Sequence, residues 1–242
     1  MGNFGKWIGG GLGWAVGGPI GALLGFAIGS VVDGATVVTG EKRGRQVSTT
    51  SGGYLMSLLV LIAATMKVDG KVMRSELDYV RNFLRSNFGE EAAAEAVVML
   101  RDLLNQNIPV ADVCRQISTH MNYSARLQLL HFLYGIAQAD TTVNAEEQKL
   151  IGFMASQMGI SDHDQASIKA MFIQDTDYAF KILEIEPSAS NEEVKKAYRR
   201  MAMKYHPDKV APLGEEIQKS AQEKFRSVNE AYEAIKKERN MV

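Results

Sequence analysis

The stretch Ser190-Asn191-Glu192-Glu193-Val194-Lys195-Lys196-Ala197-Tyr198-Arg199-Arg200-Met201-Ala202-Met203-Lys204-Tyr205-His206-Pro207-Asp208-Lys209 orders the reading of the whole chain. Val194, Ala197, Tyr198, Met201, Ala202 and Tyr205 recur at helical spacing and form one apolar stripe. Lys195 and Arg199 stand four residues apart, as do Lys196, Arg200 and Lys204, so the cations collect on a separate face. Ser190 with Glu193 three residues on is a capping box, which marks the helix start. Pro207 lacks an N–H and biases His206 away from helical dihedrals, so the helix stops there. His206 and Asp208 are therefore expected in a loop beside the basic face.

The flanks extend the pattern. Asp177-Tyr178-Ala179-Phe180-Lys181-Ile182-Leu183 reads as a short helix before this stretch. Lys224-Phe225-Arg226-Ser227-Val228-Asn229-Glu230-Ala231-Tyr232 reads as a longer one after it, with Phe225, Val228, Ala231, Tyr232 and Ile235 as its buried stripe. In this order the segments resemble the J domain of Hsp70 co-chaperones, in which a basic second helix runs into His-Pro-Asp. The resemblance implies a helical hairpin that docks on a DnaK-type Hsp70 and stimulates its ATP hydrolysis. His206, Pro207 and Asp208 would make the contact, and Lys195, Arg199, Arg200, Lys204 and Lys209 would face an acidic surface and speed encounter. Tyr198, Met201 and Phe225 are expected in the core. Hydrolysis stays with the partner, so the chain is not expected to be an enzyme, and no cofactor is implied. A Gly/Phe-rich segment and a Cys-x-x-Cys zinc module, which larger J proteins carry, are absent from the sequence.

Residues 7–32 contain no charged side chain. As a helix they span roughly 39 Å, more than the ~30 Å hydrocarbon core of a bilayer. Gly9, Gly13, Gly17, Gly21, Gly25 and Gly29 repeat every four residues and make a continuous glycine ridge. In water each glycine costs a helix about 1 kcal/mol relative to alanine, whereas in lipid a flat glycine face lets a second helix approach closely. The reading is a self-associating transmembrane anchor, kinked near Pro19. A secretory signal peptide fits poorly; a segment that inserts only on assembly, as in glycine-zipper proteins, is the other alternative. Lys42, Arg43 and Arg45 follow the span and only Lys6 precedes it, so the bulk of the chain is expected on the cytoplasmic side of the inner membrane and the N-terminus outside.

Between anchor and J domain the pattern is helical throughout. Residues 40–53 read as a polar linker. Residues 54–173 contain a repeat at an offset of 71 residues: Leu58-Leu59 recurs as Leu129-Leu130, Asp69 as Asp140, Val72 as Val143, Glu76 as Glu147, Val80 as Ile151 and Phe83 as Met154. Each copy reads as an apolar helix, a turn opened by the Asp and a second helix near the Glu, with helices over Ala92–Gln106 and Pro109–Met121 between the copies. The duplication resembles the TerB-like domain of tellurite-resistance proteins, also found in DjlA-type co-chaperones. Asp69, Glu76, Asp140 and Glu147 are candidate oxygen ligands for a divalent cation, but the alternating acids of an EF-hand loop are missing, and turn-capping and helix-dipole roles are the simpler reading. His120 and His131 read as packing or surface histidines. Only Gln174–Thr176 separates this unit from the J domain, a passage shorter than the resemblance suggests, which argues against independent movement.

Composition agrees. A net charge of -1 does not favour a nucleic-acid partner, and the basic character is local. The single cysteine, Cys114, excludes an intrachain disulfide and sits in an apolar helical context as a buried thiol. No nucleophile–base spacing, phosphate loop or H-E-x-x-H is present. The expected architecture is all-α: an anchor over 1–39, a linker over 40–53, a TerB-like bundle over 54–173 and a J domain over 177–242, resembling DjlA-type co-chaperones. The expected partners are an Hsp70, the membrane and a second copy of the chain through the glycine ridge. The competing function is a stress- or metal-sensing TerB-like protein with an accessory J domain.

Overall fold

A computed structural model of the chain describes residues 18–29, 51–68, 70, 73–139, 145–173 and 175–241. The described secondary structure is helical: α1 (Pro19–Gly29), α2 (Ser51–Met66), α3 (Arg74–Phe88), α4 (Glu90–Leu104), α5 (Val110–His120), α6 (Tyr123–Ala139), α7 (Ala145–Gln157), α8 (Asp162–Ala170), α9 (Tyr178–Ile182), α10 (Asn191–Lys204), a 3₁₀ turn (Pro207–Leu213) and α11 (Glu215–Glu238).

The centre of the first unit is α2, whose sequence SGGYLMSLLVLIAATM is apolar all round. A helix with no polar stripe must be covered on every side. Accordingly α1, α4, α5, α6 and α7 and the 3₁₀ turn all pack on it. Leu58, Leu59 and Ile62 are fully buried, each burial worth about 2 kcal/mol. The repeat appears in chain order as α2 then α3 and as α6 then α7, with α4 and α5 between them as expected; α6 and α7 pack together, whereas α3 packs on α4, α6 and α11 rather than on α2. The helix opens at Ser51, three residues inside the expected linker, and Ser57 Oγ donates to the Gly53 carbonyl one turn back at 2.7 Å.

The N-terminal expectation changes where it can be followed. Pro19 does not kink a helix; it is the first residue of α1, where its missing N–H costs nothing. Ile20, Leu23 and Leu24 are buried, and α1 packs on α2, α4 and α5, with the Ile20 N–H donating to Gln116 Oε1 at 3.0 Å. At 11 residues α1 is short, and among the described residues no helix is long and apolar enough to cross a membrane. Gly21, Gly25 and Gly29 lie in α1; Gly9, Gly13 and Gly17 lie outside the described residues.

In the second unit α10 and α11 pair as a hairpin, and α9 packs on α11 and also on α8 of the first unit. The expected stripe is found: Val194, Ala197, Met201 and Tyr205 are buried against Ile217, Ala221, Val228, Ala231 and Ile235. Tyr198 and Tyr232, half-buried at the open side of the hairpin, stack with ring centroids 4.3 Å apart, and Tyr198 OH donates to Asn229 Oδ1 at 3.1 Å. Arg239 closes the far end, donating to the Pro187 carbonyl at 2.5 Å and lying over the Phe180 ring at 5.1 Å.

Candidate Hsp70-docking site

The capping box is formed: Ser190 Oγ accepts from the Glu193 N–H at 3.3 Å, and Glu193 Oε2 accepts from the Ser190 N–H at 2.7 Å. Fourteen residues later α10 stops at Lys204, and Pro207 opens a 3₁₀ turn. His206 is thereby extended and turned outwards, its side chain 50% exposed, with Asp208 73% exposed beside it. Within the loop the Asp208 N–H donates to His206 Nδ1 at 3.3 Å, so the proton of the neutral ring sits on Nε2, which faces away from that bond. Asp208 Oδ1 in turn accepts from Gln218 Nε2 of α11 at 2.8 Å. Phe225 of the same helix meets the His206 ring edge-on at 5.7 Å. It is half-buried and supports the loop from below, a role between core and contact.

The cations divide into two groups. Arg199 is exposed and Lys195 half-exposed, and Met203, one turn on from Arg199 and 70% exposed, continues their row towards the loop. Arg200 and Lys204 face α9. Arg200 donates to the Leu183 carbonyl at 3.0 Å, and Lys204 Nζ pairs with Glu184 Oε1 at 2.7 Å. Glu184 itself holds φ at 56°, a left-handed conformation that costs a residue with a Cβ about 1 kcal/mol. Lys204 has a second partner that the sequence did not suggest, Asp164 Oδ1 of α8 at 2.5 Å. Burial pushes the Lys204 amine down, but its hydrogen bonds to the two carboxylates outweigh it and hold the ammonium above its ordinary range.

Of the four repeated acids, Glu76 is buried and accepts from the Met73 N–H at 2.9 Å at the start of α3, the helix-start role. Glu147 is buried in α7, and Asp69 and Asp140 lie outside the described residues. Among the described residues no three His, Cys, Asp or Glu side chains are grouped to hold a metal. His131 is buried against Phe172 at 4.7 Å; burial first and Lys224 second push its ring well below the usual histidine range. His120 Nδ1 lies 2.9 Å from the Gln116 carbonyl, a local helical contact.

Three family models match the chain. The DnaJ domain covers residues 178–241, which makes the C-terminal unit a J domain. The tellurite resistance protein TerB covers residues 55–170, and the co-chaperone DjlA transmembrane domain covers residues 1–46. Taken from the N-terminus, transmembrane domain, TerB and DnaJ domain define a DjlA-type co-chaperone, and the chain belongs to that class. Among curated proteins, the J domain is similar to the chaperone protein DnaJ of Wolinella succinogenes, 53% identical over 66 residues, or 27% of this chain and 16% of that protein. The chaperone protein DnaJ of Fusobacterium nucleatum is 51% identical over 56 residues, 23% of this chain and 14% of that protein. DnaJ homolog subfamily A member 4 of Homo sapiens is 46% identical over 63 residues, 26% and 14% of the two chains. The chain thus spans about one-seventh of the length of these relatives. No solved structure matches the chain.

Proposed function

We propose that this membrane-associated J-domain protein stimulates ATP hydrolysis by a DnaK-type Hsp70. The observation that carries the reading is the exposed His206-Pro207-Asp208 loop at the end of basic α10, with Asp208 braced by Gln218. The row Lys195, Arg199 and Met203 beside it offers cations to an acidic surface and an apolar foot close to the loop. Long-range attraction accelerates encounter, and the loop then biases the conformational equilibrium of the partner. The chain is not itself the ATPase. The transmembrane segment brings this activity to the membrane, and the cations at residues 42–45 favour a cytoplasmic J domain.

The test is a single-turnover ATPase assay of a DnaK-type Hsp70 with the full chain in detergent. The parent raises the rate, and His206→Gln removes the stimulation while leaving the helical circular dichroism unchanged. Equal stimulation by both proteins overturns the reading.

A further inference from the structure

The helical unit and the J domain meet along a polar seam. Its centre is Asp164 of α8, 3% exposed, which accepts from Tyr123 OH at 2.6 Å and Ser161 Oγ at 2.7 Å within its own unit. From across the seam it accepts Lys204 Nζ at 2.5 Å and Tyr205 OH at 3.2 Å. Burial pushes its carboxyl up, but the bonds from Lys204, Tyr123 and Ser161 outweigh this and keep it ionised. Next to it Lys224 of α11 is also 3% exposed and makes no hydrogen bond among the described residues, its ammonium lying 5.3 Å over the Tyr205 ring. A narrow opening beside it is lined by Ser124 and Leu127 of α6 and by Lys204, His206, Lys209 and Lys224 of the J domain. The charged and titratable groups that face Lys224 are thus Asp164 from α8, His131 from α6, Lys204 and Tyr205 from the end of α10, and His206 and Lys209 from the 3₁₀ turn.

We propose that this seam is a latch: closed, it withholds Lys204 from the Hsp70, and open, it returns it to the docking surface. The proposal rests on the co-chaperone reading above. Three observations carry it. Lys204 is held by two carboxylates, Asp164 across the seam and Glu184 within the J domain, and an acidic partner engages it fully only once the Asp164 bond is released. His206, Asp208 and Lys209 stay exposed, so the closed form keeps its loop and loses only the charge of Lys204. Finally, the seam contains its own opposition. The Lys224 ammonium, almost wholly removed from water beside other cations and with no protein acceptor bonded to it among the described residues, opposes closure, where a Met or Leu would favour it.

The pH dependence of closure has a definite sign. Burial, partly offset by Asp164, pulls the Lys224 amine from its ordinary 10.5 to about 7. Closing therefore releases a proton between those values, and the latch tightens as pH rises from about 7 and is flat below it.

The test uses the full chain in detergent, hydrogen exchange of residues 123–131 and 217–224 as the seam readout, and stimulation of a DnaK-type Hsp70 at several salt concentrations. Asp164→Asn is expected to speed exchange at the seam, raise sub-saturating stimulation about threefold and steepen its salt dependence, because one more cation, Lys204, faces the partner. Lys224→Met, which needs no seam carboxylate to fold, is expected to do the opposite: slower exchange, no pH dependence between about 7 and 9, and stimulation about threefold lower. If the variants move the exchange as expected while stimulation and salt dependence equal the parent's, the latch is overturned. So it is if Lys224→Met loosens the seam. His206→Gln separates the two readings: with that variant inactive, a failed latch leaves the co-chaperone reading standing, and with that variant fully active both fall.

Discussion

Gln218 of α11 donates its side-chain amide to Asp208 Oδ1 at 2.8 Å, so the carboxylate of the His-Pro-Asp loop is oriented by the third helix of the J domain. A hydrogen bond of this kind is worth about 1 kcal/mol, or about fivefold in an equilibrium. Gln218→Ala is expected to lower stimulation of Hsp70 by that factor with little change in melting temperature, since the bond is exposed. Stimulation equal to the parent's, measured in single turnover, would show that Asp208 needs no brace.

The capping box at Ser190 sets where α10 begins, and through its length where the loop falls. Ser190→Ala is expected to cost about 1 kcal/mol, read as a lower melting temperature of the J domain. The backbone N–H of Ser190, with its hydroxyl second, holds the Glu193 carboxyl below its ordinary 4.5. Its contribution is therefore complete above that value and is lost as pH falls through the lower, folded one. The gap in melting temperature between parent and Glu193→Gln should close on acidification from about pH 7 to about pH 3.

Cys114 is fully buried in α5, and burial pushes its thiol up to about 12. At neutral pH almost no thiolate is present and no reagent reaches it. A thiol-specific chromophore should label the folded chain at less than about one-hundredth of its rate in denaturant. Rapid labelling of the native chain would show that α5 opens.

Glycine at every fourth position of residues 9–29 predicts close self-association in lipid. Replacing Gly13, Gly17 and Gly21 with Leu is expected to weaken dimerisation in detergent about tenfold or more, as followed by concentration-dependent crosslinking. Unchanged association removes the ridge as an interface.

The J domain was legible in the sequence because two periodic signals coincide there: an apolar stripe at helical spacing and a proline that ends it beside the cations. The duplication was legible because its apolar pairs recur at one offset, and the structure places α2–α3 and α6–α7 accordingly. The seam was not read. Asp164, three residues after Ser161, looks like an ordinary acid in the first turn of a helix, and it does take that place, with Ser161 Oγ accepting its N–H at 3.2 Å. That its carboxylate also reaches Lys204 and Tyr205 depends on how α8 lies against α10, which no local pattern records. Lys224 did leave a signal. Ile217, Ala221, Lys224, Val228, Ala231 and Ile235 follow one buried row of α11, and a lysine within such a row announces a special environment.

The length of α2 carries a consequence for biogenesis. Its 16 residues are as apolar as many membrane-inserting segments, yet as a helix they reach only about 24 Å, short of the ~30 Å hydrocarbon core. An insertion machinery that meets it during synthesis therefore has no stable spanning state in which to leave it. Its cover comes from α1 before it and from α4 to α7 after it, so it stays greasy and unshielded until the last of those helices has left the ribosome.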